Sequence, residues 1–301
     1  MARCLIYLFA GAALVPALGC ASTWETVSSR RFRDKPFGTM FTRTDPVAVL
    51  RSAEPVSAEE RARAMQALRE PTAAGYDQAV QDEVMQILST AATRDAAPWV
   101  RLCAIDALMR FEDPRKTEIL ANAYHYASGN PTSAAPKPAE GIEQAGALDR
   151  FRNTTGVGDL NALFAGKGFS PEQISTIRCR ALDGIARTQT PEAVEFLARI
   201  ADGKEFGVNE DPTGKAYVRR RAVAGLTQIR SKESVVALNK VLAGELGRDT
   251  AMVNLAHEGL RDLTGKTAPA DPAQWDAIVQ AGFEIAPAPN GIVRAVSAVI
   301  P

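Results

Sequence analysis

The feature that most constrains the fold of this chain is a short motif that recurs along it. The pattern Arg-x-x-Ala-x-x-(Ala/Gly)-(Leu/Ile) occurs four times, and a fifth copy has valine in place of the arginine. The copies occupy residues 61–68, 101–108, 178–185, 219–226 and 253–260. Offsets of three, three and one place the small and aliphatic residues on one face of a helix. Ala or Gly on that face lets a neighbouring helix approach closely, so the motif predicts a set of closely packed helices.

A second pattern follows each of the three central motifs at a constant distance. Nine residues beyond the first alanine of the motif lies a residue suited to an N-cap, and seven residues further lies a leucine. The caps are Asp113, Thr190 and Ser231, and the leucines are Leu120, Leu197 and Leu238. Proline follows two of the caps, at a position that suits the first turn of a helix. Each unit is therefore predicted to be a helix, a tight turn and a second helix.

The spacing of the motifs predicts the domain organisation. Their first alanines are 40, 77, 41 and 34 residues apart, and three of these intervals are near the length of one helical-hairpin repeat. The long interval predicts an insertion over residues 125–169, rich in turn residues, with a weak helical stretch at 159–164. Ser170 then opens a capping box with Gln173 that restarts the repeats. We expect a repeat domain over 57–282 and a tail over 283–301.

Composition agrees with an all-α fold. Aromatic residues make up only 6% of the chain and alanine is abundant, which suits packed helices better than a β-sandwich. Lys plus Arg and Asp plus Glu both total 35, so there is no overall positive charge to hold nucleic acid.

The first twenty residues have the pattern of an export signal. Arg3 is the only charge before an apolar run that is short for a permanent membrane span and is interrupted by Pro16. Ala17-Leu18-Gly19-Cys20 resembles a lipobox, although leucine is more typical at its first position. Residues 1–19 are thus predicted to be a lipoprotein signal peptide, with Cys20 as the lipid-modified residue. Ordinary cleavage near Gly19, giving a soluble secreted protein, is the alternative.

Residues 20–56 are expected to be a tether between the lipid and the repeats. Its basic cluster over 30–35 has two interpretations that the sequence leaves open. It could contact anionic lipid headgroups, since each basic residue near such a surface contributes about 1 kcal/mol. It could equally be a plain tether whose Phe32 and Phe37 dock on the first repeat.

The repeated units resemble HEAT repeats, in particular the short HEAT-like type also found in relatives of phycobilisome lyases. Trp99-Val100-Arg101 and Tyr217-Val218-Arg219 match the start of that motif closely. The resemblance covers residues 57–282 and implies a right-handed α-solenoid of about five hairpins, in which the motif helix is the inner one. The whole layout is similar to bacterial HEAT-repeat lipoproteins of uncharacterised function.

Candidate reactive residues are few. His257 lies inside a motif helix and is expected to be structural, while His125 has no ligand-spaced Cys or carboxylate beside it. Cys103 and Cys179 are predicted to be buried small hydrophobic residues rather than a disulfide. We expect no catalytic residue, no metal and no cofactor.

The arginines are predicted to be structural. Those of the motif, Arg61, Arg101, Arg178 and Arg219, should bond carbonyls or acids of an adjacent unit rather than form an anion-binding ladder. Residues 219–221 should be a solvated run of charge, and Arg110 and Arg230 are expected to be replaceable surface residues.

The function that follows is a lipid-anchored scaffold or adaptor of the cell envelope, facing the periplasm or the outside of the cell. A solenoid presents an extended concave face, on which a protein or peptide partner would bind. The first alternative is an envelope enzyme, lyase-like or hydrolytic, that uses the insertion; a pocket lined by several acids or by His125 would favour it. A more remote alternative is nucleic-acid binding, which occurs in DNA glycosylases of HEAT-like fold but fits poorly with a neutral, exported chain.

Overall fold

The structure is a computed structural model that describes residues 45–52, 56–128, 168–206 and 211–287. Regular secondary structure in these ranges is entirely helical, so the all-α prediction is confirmed. Signal peptide 1–19, Cys20, the basic cluster and nearly all of the insertion lie outside the described residues, and their assignments stay predictions.

Eleven α-helices are present in the described part of the chain. They are α1 (Pro46–Leu50), α2 (Ala58–Ala67), α3 (Gln78–Arg94), α4 (Pro98–Arg110), α5 (Lys116–His125), α6 (Pro171–Thr188), α7 (Pro191–Ala201), α8 (Pro212–Gln228), α9 (Lys232–Glu245), α10 (Thr250–Thr264) and α11 (Pro272–Ala281). A short 3₁₀ helix, Thr72–Ala74, precedes α3.

The helices pack in two rows. The five motif helices α2, α4, α6, α8 and α10 form one row, in which each packs on the next. The second helices form the other row, in which α1 packs on α3, α3 on α5, α7 on α9 and α9 on α11. Within this second row, α5 and α7 meet through ring contacts, such as that of Tyr124 with Phe196 at 5.5 Å.

The core lies between the two rows and contains the residues that the motif predicts. Three first alanines and the aliphatic residues four positions later are all 0% exposed, namely Ala104, Ala181, Ala222, Leu108, Ile185 and Leu226. The predicted inner face of the motif helices is therefore confirmed.

The small residue three positions after the first alanine is where consecutive units meet. A Cβ atom added to Gly184 would lie 2.8 Å from a methyl carbon of Leu120. At the next interface a Cβ on Gly225 would lie 3.1 Å from Leu197. Gly259 has the same relation to Leu238, at 3.0 Å. Each predicted leucine thus packs on the backbone of the following motif helix, and the contact that spans the insertion matches the two contacts that follow it.

A second contact also repeats from one motif helix to the next. The residue two positions after the first alanine faces the residue one position before the first alanine of the next motif. The pairs are Gln66–Cys103 at 3.4 Å, Asp106–Arg180 at 2.5 Å and Asp183–Arg221 at 2.5 Å. Since the pair that spans the insertion matches its neighbours, the insertion leaves the stacking register of the motif helices unchanged.

Most predicted caps are confirmed, and one is wrong. Thr190 and Ser231 accept hydrogen bonds from backbone amides of α7 and α9, and Ser170 forms the capping box of α6. Asp113, in contrast, does not cap α5, which begins two residues after Pro114. Its carboxylate instead accepts from the backbone N–H and the guanidinium of Arg115, so Pro114 and Arg115 form a turn before the helix.

The tether prediction over 20–56 is too long at its end. α1 lies within it, capped by the carboxylate of Asp45, which accepts from Val47 N–H at 3.0 Å. Val47, Val49 and Leu50 are buried against α2 and α3. These residues belong to the folded body because a capped turn with three apolar side chains completes the first unit.

The predicted tail over 283–301 likewise begins inside the body. Phe283 and Ile285 pack against the core. The backbone N–H of Ala286 donates to the carbonyl of Leu263 in α10 at 2.8 Å. The described part of this segment therefore closes the last unit, together with Trp275 of α11, which is 0% exposed.

Candidate binding surface

The motif arginines hold units together. Arg61 contacts Asp95, which precedes α4, at 2.8 Å. Arg219 donates to the carbonyl of Ala201 at the end of α7 and pairs with Glu245 at the end of α9. These contacts confirm the structural role predicted for Arg61 and Arg219.

Arg101 is the most buried of the motif arginines, with 2% of its surface exposed. It donates to the carbonyls of Asp95 at 2.7 Å and Tyr126 at 2.6 Å. Its guanidinium also lies over the ring of Phe169, 4.6 Å from the centroid. Desolvation lowers its pKa to about 10, which still leaves it charged at neutral pH. Because Tyr126 and Phe169 flank the insertion, Arg101 holds the two ends of that segment at one place.

The fourth motif arginine and the run 219–221 also contact neighbouring elements. Arg178 lies over the ring of Tyr124 from the preceding unit, at 5.3 Å, as a structural residue would. Arg220 and Arg221 of the run 219–221 are exposed, as predicted, and they also pair with Asp249 and Asp183. Each charge in this run ties α8 to a neighbouring element.

The histidines and cysteines are structural within the described residues. His257 Nε2 lies 2.7 Å from the carbonyl of Ala268, as expected of a structural histidine. His125 packs edge-on against the ring of Phe196, and burial lowers its pKa. Cys103 and Cys179 are buried and unpaired, and desolvation raises the pKa of Cys179 to about 12. His, Cys, Asp and Glu side chains form no group able to hold a metal in this part of the chain.

An open groove of about 590 Å³ lies between α5 and α7. Apolar side chains form its floor, namely Ala121, Ile185 and Phe196. Its walls carry charge, namely Arg115, Glu118, Glu192, Glu195 and Arg199. No sequence pattern predicted this groove, although Glu192 and Glu195 of α7 have the three-residue spacing that places them on one face of a helix.

The two arginines of this groove are already paired with acids. Arg115 contacts Asp82 at 2.9 Å and Asp113 at 2.6 Å. The hydrogen bond from Arg115 to Asp113, together with hydrogen bonds from Gln81 and from the backbone N–H of Arg115, lowers the pKa of Asp113 to about 2. Arg199 contacts Glu195 at 3.3 Å and Glu205 at 3.1 Å.

Two glutamates of the groove differ from these paired side chains. Glu118 on α5 and Glu192 on α7 are exposed, and neither contacts a basic side chain of the described residues. Among the described residues, the groove therefore has a carboxylate without a basic partner on each wall.

A neighbouring groove of about 550 Å³ lies between α7 and α9. It shares Glu195 and Arg199 with the first groove, so the two grooves adjoin at α7. Val236 is 37% exposed in it. Its lining has equal numbers of basic and acidic side chains, namely Arg199, Lys232 and Lys240 and Glu195, Asp202 and Glu233.

No helix in the described ranges is both long enough and apolar enough to cross a bilayer. No protein-family model matches the sequence, and no curated protein matches it.

Proposed function

We propose that the two rows of helices form a right-handed α-solenoid of about five HEAT-like hairpins. Two repeating contacts support this proposal. The same leucine-on-glycine packing recurs at three interfaces between units, and the same side-chain pair recurs between motif helices. An array built by one repeated interface is what a solenoid requires, since each unit then contacts its neighbours in the same way.

This solenoid acts as a lipid-anchored adaptor of the cell envelope, held to a membrane through Cys20. The lipobox-like sequence over residues 17–20 supports export to the cell envelope and lipid attachment. More than one acyl chain would make the attachment stable, because each buried methylene contributes about 0.8 kcal/mol.

The observation that carries the adaptor function is the grooved face of α5, α7 and α9. Two adjoining grooves with apolar floors and charged walls suit an extended segment of a partner protein. This assigns the partner to the face of the second helices, rather than to the row of motif helices that the resemblance implies is the inner one.

An envelope enzyme is the competing proposal, and one feature favours it. The groove between α5 and α7 contains three glutamates, as a hydrolytic site could. All three are exposed to solvent, however, and His125 lies against Phe196 rather than lining the groove. A catalytic acid is usually set apart from an ordinary surface carboxylate by burial or a close like charge. The adaptor is therefore the better-supported function, and nucleic-acid binding has no support from these acidic walls.

A photo-crosslinking experiment in intact cells tests the adaptor proposal. Benzoylphenylalanine replaces Val236, in the groove between α7 and α9, and in a second strain Tyr217, an exposed aromatic on the row of motif helices. We expect a discrete adduct with one envelope protein from the position of Val236 and none from that of Tyr217. Adducts from Tyr217 alone, or from neither position, would refute the proposed face.

A further inference from the structure

We propose that the groove between α5 and α7 binds an extended segment of the partner protein in which one bulky apolar side chain is flanked by basic residues. This inference rests on the adaptor function and names the chemistry of its ligand.

The charged side chains of the groove favour a basic ligand. The basic side chains of the groove, Arg115 and Arg199, each contact two acids, so their charge is satisfied within the fold. Glu118 and Glu192 lie on opposite walls, and no basic side chain among the described residues contacts either of them. A ligand with basic residues on both sides of its anchor would place one near each wall, and complementary charge favours both binding and selectivity.

The floor of the groove favours an apolar side chain in the ligand. Ile185 is 0% exposed and Phe196 is 7% exposed, and the rings of Tyr124 and His125 pack edge-on against Phe196 at 5.5 Å. Ile185 therefore lies beneath the groove and offers no surface to a ligand. The apolar surface at the floor comes from Ala121 and the edge of Phe196, whose ring is held by Tyr124 and His125. An apolar anchor fixed by a preformed pocket is the usual way in which an extended peptide gains affinity.

The neighbouring groove provides an internal control. It is nearly the same size and is also built from two second helices, but its positive and negative side chains balance. The basic ligand is therefore expected in the groove between α5 and α7 and not in the one between α7 and α9.

The test measures binding of three fluorescein-labelled peptides to the full chain at low salt. The peptides are Gly-Ser-Arg-Phe-Arg-Ser-Gly, the same peptide with Glu in place of both Arg residues, and the first peptide with Ser in place of Phe. We expect the first to bind best. The double variant Glu118→Lys/Glu192→Lys should weaken it about tenfold and strengthen the acidic peptide by a similar factor. The matched control Glu233→Lys should change neither affinity by more than about twofold.

Three outcomes would overturn the proposal. The first is a charge-reversed double variant that binds all peptides as the wild type does. The second is a loss of affinity in Glu233→Lys equal to that in the double variant. The third concerns this chain's own segments of the same chemistry, 31–33 and 150–152. If Phe32→Ser or Phe151→Ser tightens peptide binding about tenfold, the occupant is this chain and not a partner.

The proposed function can fail or stand separately from this inference. An adduct at Val236 with no preference for the basic peptide would keep the adaptor and reject the ligand chemistry. Preference for the basic peptide without any adduct in cells would keep the groove and reject the adaptor.

Discussion

At the scale of single residues, the stability of this protein depends on small side chains at repeated positions. Glycine in a helix interior is unfavourable relative to alanine by about 0.5–1 kcal/mol. Gly184, Gly225 and Gly259 are nevertheless the residues that the packing requires, because a leucine of the preceding unit occupies the space of a Cβ atom. Gly244 in α9 is different, since nothing lies within 4 Å of its Cβ position.

The contrast between Gly259 and Gly244 is a direct test of this packing. Gly259→Ala should destabilise the fold by about 1–3 kcal/mol, because the new methyl meets Thr227 and Leu238. Gly244→Ala should be neutral or should stabilise the fold by up to about 1 kcal/mol through helix propensity. Urea unfolding followed by circular dichroism measures both changes.

A second variant shows whether the contact itself is responsible. Thr227→Ser removes the methyl group that a Cβ on Gly259 would meet and keeps a hydroxyl that can donate to the carbonyl of Ala224. When it is combined with Gly259→Ala, Thr227→Ser should restore a large part of the free energy of unfolding that Gly259→Ala removes. If the two substitutions simply add, the destabilisation does not arise from this contact.

At the scale of elements, arginines outside the motif bind the ends of helices. Arg110 was expected to be a replaceable surface residue, yet it donates to the carbonyl of Met65 in α2 at 2.6 Å. Arg230 was expected to be equally mild, and it donates to the carbonyls of Asp262, Ala286 and Pro287. The expectation did not include these contacts, because a guanidinium with several N–H donors can reach carbonyls of elements that are distant in the sequence.

We therefore expect Arg230→Ala to detach the segment that follows α11. The loss of bonds from a charged donor should cost about 1–2 kcal/mol. Hydrogen exchange at Ala286, whose N–H donates to Leu263, should speed up. Arg248→Ala is the matched control, since Arg248 is exposed and makes only a long bond of 3.4 Å to Gly244. Equal exchange at Ala286 in both variants would contradict the role of Arg230.

At the scale of the whole molecule, the insertion is attached without disturbing the stack. The carbonyl of Ser128 lies 3.6 Å from the position of a Cβ on Gly168, so the segment leaves and re-enters the body at one place. Arg101 contacts the chain near both ends of the insertion: it donates to the carbonyl of Tyr126 and lies over the ring of Phe169. Lengthening a segment between two fixed ends raises the entropy cost of folding only slowly, by about 0.6 kcal/mol for each doubling, so an insertion at this place costs the stack little.

The membrane anchor is also a property of the whole molecule. Cys20→Ser should move the protein from the membrane fraction to the soluble fraction, because the acylated residue is lost. Precursor cleavage should also fail or shift, and globomycin-type inhibition should make the wild-type precursor accumulate. Fractionation and immunoblotting measure both effects. A Cys20→Ser protein that stays with membranes, alongside a wild type that the inhibitor leaves unchanged, would mean that the lipobox interpretation is wrong.

The sequence alone determined the motif helices and the face that each of them buries. The three-residue spacing of small and aliphatic residues predicted Ala104, Ala181 and Ala222 as core residues, and all three are fully buried. Helical period and capping are local properties, so Thr190 and Ser231 could be predicted from their position relative to the motif.

Only the tertiary structure decided the rest. The groove between α5 and α7 joins Glu118 and Glu192, which are 74 positions apart along the chain, and no local pattern connects them. The partners of Arg115, Arg230 and Asp113 likewise depend on which helix ends meet. Long-range pairing of polar side chains follows from packing, whereas burial of an apolar face follows from period. For this reason the sequence alone could predict the core but not the binding surface.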